Sequence, residues 1–396
     1  MSIKKLNKLG ELFCGAGGLA EGAKKAGFKH VWATDIDSDA CKSFEKHHKN
    51  CRVIPGDVYK EFINKEMKKK KETKPINGLL FGFPCNDFSL VGKRKSLKGE
   101  YGPLYKAACK ALEYFKPEYF VAENVSSIAL IRKNGIKKDG NSEVYRNFLK
   151  IMQDLAKCNY KIFGDMFRFE DYGVPQTRRR IILVGFRADF YKKNDIKYGK
   201  PPKDTEFIRI TCKQALEKGV PGTKQTKKSF DEADNKEETK HSDDVKKRLK
   251  NTKQGQNVWQ ISDEFGLPNV KKGRMSQIYK KLKSNEPSYT VTGSGGGGTH
   301  VYHYSKNRAL TNRERARLQT FDDSYSFAGG KESVRKQIGM AVPVLAAKKI
   351  MLELKKTLLG KGKKMHHDVM IEPNGKTFVT LEEIQQNELF DEKSLQ

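Results

Sequence analysis

Four short stretches of this chain carry side chains suited to chemistry, and each borders an apolar run. The first is Gly82-Phe83-Pro84-Cys85-Asn86-Asp87-Phe88-Ser89, behind Leu79-Leu80-Phe81. A strand that ends in Pro-Cys delivers one thiol to the rim of a sheet, where open α/β folds bind their ligands. A free thiol has a pKa near 8.5, so forming the thiolate at pH 7 costs about 2 kcal/mol unless the site supplies positive charge. The second is Glu123-Asn124-Val125, a carboxyl group closing the run Tyr119-Phe120-Val121-Ala122. The third is Gln176-x-Arg178-x-Arg180, which taken alone is a basic loop able to touch phosphates. The fourth is Cys14-Gly15-Ala16-Gly17-Gly18, with Asp35 ending the next apolar run. A glycine turn between strand and helix lets the backbone approach a ligand, and an acid on the next strand can hold both ribose hydroxyls. The turn is Gly15-x-Gly17-Gly18 rather than G-x-G-x-x-G, so a dinucleotide, an adenosyl group without pyrophosphate and a plain tight turn all stay open. Asp57, after Val53-Ile54, is placed to accept from an adenine amino group.

The elements that must position these residues alternate. Residues 9–13, 31–35, 53–58, 79–81, 119–125, 161–167 and 181–184 read as strands. Between them, 19–26 is helix-compatible, with Gly27 where a C-terminal glycine belongs. Leu104, Ala108, Ala111, Leu112 and Phe115 recur at helical spacing up to Pro117, and Val144, Phe148, Ile151, Met152 and Leu155 mark another helix. Strands alternating with helices predict an α/β fold with a doubly wound, mostly parallel sheet.

The rhythm is lost over 188–300. Residues 222–256 are polar and mixed in charge, so they read as loop or surface helix. Trp259, Phe265, Ile278, Tyr279 and Leu282 could build a satellite core. Thr311 and Glu314 have capping-box spacing, which starts a helix at Asn312, and Arg313, Arg315 and Arg317 on it are either structural or phosphate-facing. Residues 342–359 read as a returning helix, and a hairpin is expected to turn at Asn374-Gly375.

The 396 residues suffice for two or three domains. Lysine and arginine (78) exceed aspartate and glutamate (48) by 30, and the pI is about 9.6. Such an excess favours a polyanionic partner, nucleic acid foremost, although a lysine-rich surface alone gives the same balance. No apolar run approaches the roughly 20 residues of a membrane span, and no apolar stretch follows the basic first residues as in a secretory signal. The seven cysteines are scattered with no Cys-x-x-Cys, which supports neither a disulfide framework nor a zinc site. A reduced, cytoplasmic setting is expected, with no bound metal. The pairs His47-His48 and His366-His367 are expected at the surface.

In order and spacing the four stretches resemble the motifs of the DNA (cytosine-5)-methyltransferases. Arg308-Ala309-Leu310-Thr311-Asn312-Arg313-Glu314-Arg315-Ala316-Arg317-Leu318 and Gln337-Ile338-Gly339-Met340-Ala341-Val342-Pro343 extend the resemblance, which covers residues 8–187 and 286–352. It implies a S-adenosylmethionine-dependent methyltransferase fold with a smaller irregular target-recognition domain. The divisions would be 1–187 (catalytic and cofactor-binding), 188–330 (target recognition), 331–360 (returning helix) and 361–396 (an extension without an assigned role). The implied reaction adds the Cys85 thiolate to carbon-6 of a flipped-out cytosine. Carbon-5 then attacks the methyl of S-adenosylmethionine, which leaves as S-adenosylhomocysteine, and loss of the carbon-5 proton expels the cysteine.

By the same resemblance Glu123 serves cytosine N3, and Arg178 and Arg180 orient Glu123 and bind cytosine O2. Phe13, Gly15, Gly17, Asp35, Ile36, Asp57, Val58, Pro84, Leu104 and Val342 would surround the cofactor, and the basic segment 92–99 would be a lid over DNA. Double-stranded DNA is the implied partner of a monomeric, nucleoid-associated enzyme, with a cognate restriction endonuclease in the same system. Asn86, Tyr101, Asp322 and Met340 depart from the family pattern, where Gln, Arg, Pro and Asn are usual. The competing readings are a transfer-RNA cytosine methyltransferase, an idle DNA-binding relative, and a nicotinamide-dependent oxidoreductase resting on the glycine turn alone.

Overall fold

In a computed structural model, the structure of the chain is described for residues 6–66, 75–83, 104–125, 143–203, 209–258, 280–293 and 301–379. Five short strands form one side of the sheet: β1 (Lys8–Leu12), β2 (Lys29–Asp35), β3 (Arg52–Pro55), β4 (Gly78–Phe81) and β5 (Tyr119–Val125). β4 is buried on both faces and β1 and β5 nearly so, as a sheet covered by helices on each side requires. Helices α1 (Gly18–Lys25), α2 (Ser38–His47) and α3 (Tyr105–Phe115), with the wide turn Val58–Glu66, supply that cover. Gly27 takes φ 96° after α1, and Lys116 takes φ 47° between α3 and Pro117, so both helices stop where expected.

The sheet order is β3-β2-β1-β4-β5-β7-β6-β8-β9. All four pairings among β1–β5 are parallel. After β5, α4 (Glu143–Lys157) leads to β6 (Tyr160–Arg168), and β7 (Arg179–Arg187) inserts antiparallel between β5 and β6. The expected parallel winding therefore ends at β5. Residues 169–178 join β6 to β7 with one short turn, Phe169–Tyr172, too little chain for a helical crossover. The strand order reverses between β1 and β4, the position where such sheets open a crevice at their carboxyl ends.

Beyond β7 come α5 (Ala188–Lys193), α6 (Lys227–Glu232), α7 (Asp243–Asn251), α8 (Asn312–Leu318), α9 (Lys331–Met340) and α10 (Val344–Leu358). α10 returns against α1 at a contact only glycine permits. A Cβ on Gly22 would stand 2.4 Å from Ala347 Cβ, and one on Gly18 2.4 Å from Val342 O. The main core runs without a break from Leu9 and Leu19 through Ile210, Leu216 and Val291 to Leu318 and Phe321. A satellite core does form in the inserted region, from Leu249, Val258, Tyr302 and Ala309. Of the residues expected there, Leu282 joins the main core, while Trp259, Phe265, Ile278 and Tyr279 lie outside the described residues.

α8 opens on the expected capping box: Glu314 N donates to Thr311 Oγ1 (3.2 Å) and Thr311 N to Glu314 Oε2 (2.8 Å). Its three arginines are buried, which decides for the structural reading. Arg313 donates to the carbonyls of Asp234, Asp322 and Tyr325, and Arg317 to the Asp323 carboxylate. The terminal nitrogens of Arg315 have no hydrogen-bond partner among the described residues, and burial, with Arg335 nearby, lowers its pKa to about 10.

Two histidines expected at the surface are not there. His48 is buried against Phe44 and His30, and His367 lies between Asp165 Oδ2 (2.8 Å) and Tyr198 O (3.1 Å). The hairpin β8 (Val369–Ile371) and β9 (Thr377–Val379) turns at Asn374-Gly375, with Gly375 at φ 85°, and β8 pairs antiparallel with β6. No described helix is long and apolar enough to cross a membrane.

Candidate active site

The first half of the site is the turn leaving β1. Phe13 (φ 57°), Gly15 (φ 53°) and Gly17 (φ 83°) all adopt the left-handed region, which is unfavourable for residues other than glycine. Cys14 N donates to Thr34 O (3.1 Å), Gly17 N to Cys14 O (3.0 Å) and Gly15 N to Asp35 Oδ2 (2.8 Å). The other oxygen of Asp35 accepts from Asp37 N at 2.9 Å. Two amides thus hold the carboxylate at the end of β2. Burial pushes its pKa above the usual carboxylate range, against the pull of those amides and of Lys336.

A Cβ on Gly15 would meet nothing within 4 Å, whereas one on Gly17 would meet Tyr325 Oη at 2.9 Å and Phe44 at 3.0 Å. The turn is therefore open toward one side and sealed on the other. Beside the open side Ile36 stands 73% exposed, a large aliphatic surface left uncovered. Backbone amides, a fixed carboxylate and an apolar wall are groups that could hold a nucleoside.

Asp57 Oδ1 accepts from Tyr59 N and Lys60 N, both at 2.9 Å, so one of its oxygens caps the turn Val58–Glu66. Val58 is buried, and Phe13 and Leu104 pack half-buried against the same core. Val342 reaches the site through its carbonyl, pressed against Gly18. Tyr325 was not singled out by sequence; its hydroxyl donates to Ala16 O (2.6 Å) and its ring stacks on His47 at 3.7 Å.

The second half sits on the neighbouring strand ends. Glu123 Oε1 lies 2.8 Å from Arg180 Nε, both side chains 14% exposed, because β7 runs antiparallel to β5 and sets Arg180 opposite Val125. Arg180 Nη1 also donates to Arg179 O (2.7 Å). A Cβ on Gly82 would lie 3.5 Å from Glu123 Oε2, so the chain leaving β4 passes directly beside the carboxylate. Asn124 Nδ2 holds that chain by donating to Phe83 O at 3.3 Å. Pro84 and Cys85 follow at once but lie outside the described residues, as do Asn86, the basic segment 92–99 and Tyr101.

Arg178 is placed differently from Arg180. It is buried, and it donates through Nη1 to Val291 O (3.1 Å) and through Nη2 to Gly339 O (3.3 Å). Gln176 accepts from Val291 N (2.9 Å) and donates to Gln319 Oε1 (3.0 Å), and Gln319 donates to Ile338 O (2.7 Å). These side chains brace the loop before β7 against residues 288–293, α8 and the end of α9. Met340, at that end, is 56% exposed, and its Cγ lies 3.0 Å from a Cβ built on Gly293. Asp322 ties α1 to the inserted region through Lys25 Nζ (2.6 Å) and Lys224 N (2.8 Å), two bonds that the proline usual at this position could not make. Among the described residues no group of three His, Cys, Asp or Glu is arranged to hold a metal.

The family model of the C-5 cytosine-specific DNA methylases matches residues 7–356. The Type II methyltransferase M.BbvI of Brevibacillus brevis is 45% identical over 368 residues, covering 88% of this chain and 90% of its own. M.NgoFVII of Neisseria gonorrhoeae, another Type II methyltransferase, is 35% identical over 353 residues, covering 89% and 86%. A prophage-encoded E. coli structure assigned as a DNA modification methyltransferase superposes with a TM-score of 0.66 at 22% identity, covering 89% of this chain and 99% of its own. That last likeness speaks for the fold.

Proposed function

Because this chain belongs to the C-5 cytosine-specific DNA methylases, and is a DNA cytosine-5 methyltransferase using S-adenosylmethionine, we propose that it methylates one cytosine within a specific double-stranded sequence through a covalent Cys85 adduct on a flipped-out base. The observation that carries this reading is the Glu123–Arg180 pair beside Gly82, three residues before Cys85 and on the same sheet rim as the Gly15–Asp35 turn.

Extruding the base costs a few kcal/mol and brings its ring into the crevice. The Cys85 thiolate adds to carbon-6, and the ring electrons move toward carbon-5. Glu123 holds the proton at N3, which draws charge off the ring as a general acid does. Arg180 fixes one oxygen of Glu123 and, as a rigid fork, meets cytosine O2. Arg178 acts one step back, holding the loop before β7 to Val291 and Gly339. S-adenosylmethionine supplies an electrophilic sulfonium methyl. Asp35 would hold its ribose hydroxyls, Phe13 and Ile36 would flank the adenine, the remaining oxygen of Asp57 would serve the adenine amine, and Val58, Pro84, Leu104 and Val342 would complete the walls. Carbon-5 would take that methyl as its bond to sulfur breaks, leaving S-adenosylhomocysteine as product, and loss of the carbon-5 proton would then expel Cys85 as thiolate and restore the ring.

Residues 1–187 with 331–360 form the catalytic and cofactor-binding unit and 188–330 the target-recognition unit. The enzyme acts as a monomer on chromosomal DNA in the cytoplasm, beside a restriction endonuclease that reads the same sequence, as the Type II names of its relatives suggest. Bisulfite sequencing of DNA from cells expressing the protein tests the reading. One sequence context should become methylated, and Cys85→Ser should abolish the signal while DNA binding persists. Methylation that survives Cys85→Ser would overturn the mechanism.

A further inference from the structure

The inserted region holds a groove of about 710 Å3 that the reaction does not use. Lys240, Lys246, Lys247, Lys250 and Arg308 line it, and among the described residues Glu238 is the one carboxylate on its wall. That carboxylate is already engaged, 2.6 Å from Arg308 Nε, and Arg308 also grips Glu314 with two bonds of 2.8 Å. Lys246 pairs with Asp243 at 3.0 Å. Lys240, Lys247 and Lys250 are exposed and have no ion pair among the described residues.

The walls are tied to the satellite core and to each other. Leu249 anchors α7 in the satellite core, and Lys281 Nζ donates to Leu249 O (3.1 Å) and to Asn307 Oδ1 (3.2 Å), tying α7 to the opposite wall. Three uncompensated cations on a fixed concave surface suit a polyanion.

The groove has a defined place relative to the crevice. Lys331 Nζ, on the first residue of α9, donates to Glu238 O (2.8 Å), while the last residues of α9, Gly339 and Met340, meet Arg178 and Gly293. Ten helical residues at 1.5 Å rise separate the two ends by about 15 Å. A duplex covers that length in roughly four base-pair steps, which sets the scale of the flank.

We propose that this groove binds the phosphate backbone of the duplex flanking the target sequence, about four or more base pairs from the methylated cytosine. The proposal rests on DNA being the substrate. A duplex held in the crevice presents its flank at high effective concentration, so weak phosphate contacts add to affinity without reading bases.

The test compares a duplex carrying the target sequence with flanks shorter than about four base pairs against one with flanks of about fifteen, for the wild type and a Lys240→Gln/Lys247→Gln/Lys250→Gln variant. The wild type should bind the long duplex more tightly and with a steeper salt dependence. Each phosphate contact contributes about 0.9 to that slope, so the variant should lose roughly 2 to 3 units on the long duplex. Its methylation rate on the short duplex should match the wild type, which also reports intact folding. A wild type indifferent to flank length, or a variant that keeps the full long-duplex slope, overturns the proposal. A wild type that methylates neither duplex would instead strike at the functional reading itself.

Discussion

Glu123 and Arg180 are mutually dependent: each is largely buried, and each is the other's ion-pair partner at 2.8 Å. Arg180→Ala should lower kcat by about 10² or more, within the range attributed to positioned acid–base groups, while the KM for S-adenosylmethionine stays near wild type. Arg180→Lys keeps the charge without the fork and should recover part of the rate. An Arg180→Ala enzyme with full kcat would remove Arg180 from the site. Asp35 gives a pH prediction. In the proposed role it accepts both ribose hydroxyls best when ionised, and its raised pKa means protonation begins above the ordinary aspartate value of about 3.9. Cofactor affinity should therefore fall as pH drops through the acid range, and calorimetric titrations of Asp35→Asn should show weaker binding without that pH dependence. The raised pKa acts oppositely on folding of the free protein: its stabilising contribution is fully present below the unfolded pKa and is lost as pH rises through the folded one. Gly15, Asp35, Glu123 and Arg180 were legible because each carries a local mark, a turn glycine or a polar residue at the end of an apolar run. Arg178 was not separable from Arg180, since residues two apart share a strand face only inside the strand, and β7 begins at Arg179. Tyr325 left no local mark at all; its partner Ala16 is 309 positions away.

At the scale of elements, the same division between local and distant information recurs. The capping box of α8 was readable because Thr311 and Glu314 satisfy each other within one turn. The burial of Arg313 and Arg317 was not, because it depends on carbonyls that other segments bring in. The antiparallel course of β7 could have been inferred from the ten residues between β6 and β7, a length signal that apolar patterning ignores. Two substitutions in α8 should separate its local cap from its tertiary role. Thr311→Ala removes one cap and should cost about 1 kcal/mol in urea unfolding. Glu314→Ala also strips a buried Arg308 of its bidentate partner, and one-sided removal of a buried pair costs about 3–5 kcal/mol. Equal losses for the two variants would mean that the Arg308–Glu314 pair contributes little beyond the cap.

At the scale of the whole molecule, the end of the chain completes the sheet begun at its start. The hairpin was visible in Asn374-Gly375, but its pairing with β6 was not, because antiparallel neighbours some 200 residues apart share no sequence period. With β8 in place, β6 is paired on both sides, and His367 closes over Asp165, which is buried. A chain ending at Gly360 would expose one edge of β6 together with the unpartnered Asp165 carboxylate. An open edge of this kind recruits other strands, and the lost strand pairing and His367–Asp165 contact no longer stabilise the fold. The truncated protein should therefore melt at a lower temperature and aggregate on heating. Its affinity for S-adenosylmethionine should change little, since the Gly15–Asp35 turn lies on the β1–β2 side of the sheet, across β4, β5, β7 and β6 from the hairpin. His367→Ala in the full chain isolates the charge effect from the edge effect: it should lower the melting temperature without aggregation. If both proteins melt with the wild type, the hairpin is an appendage rather than part of the folded sheet.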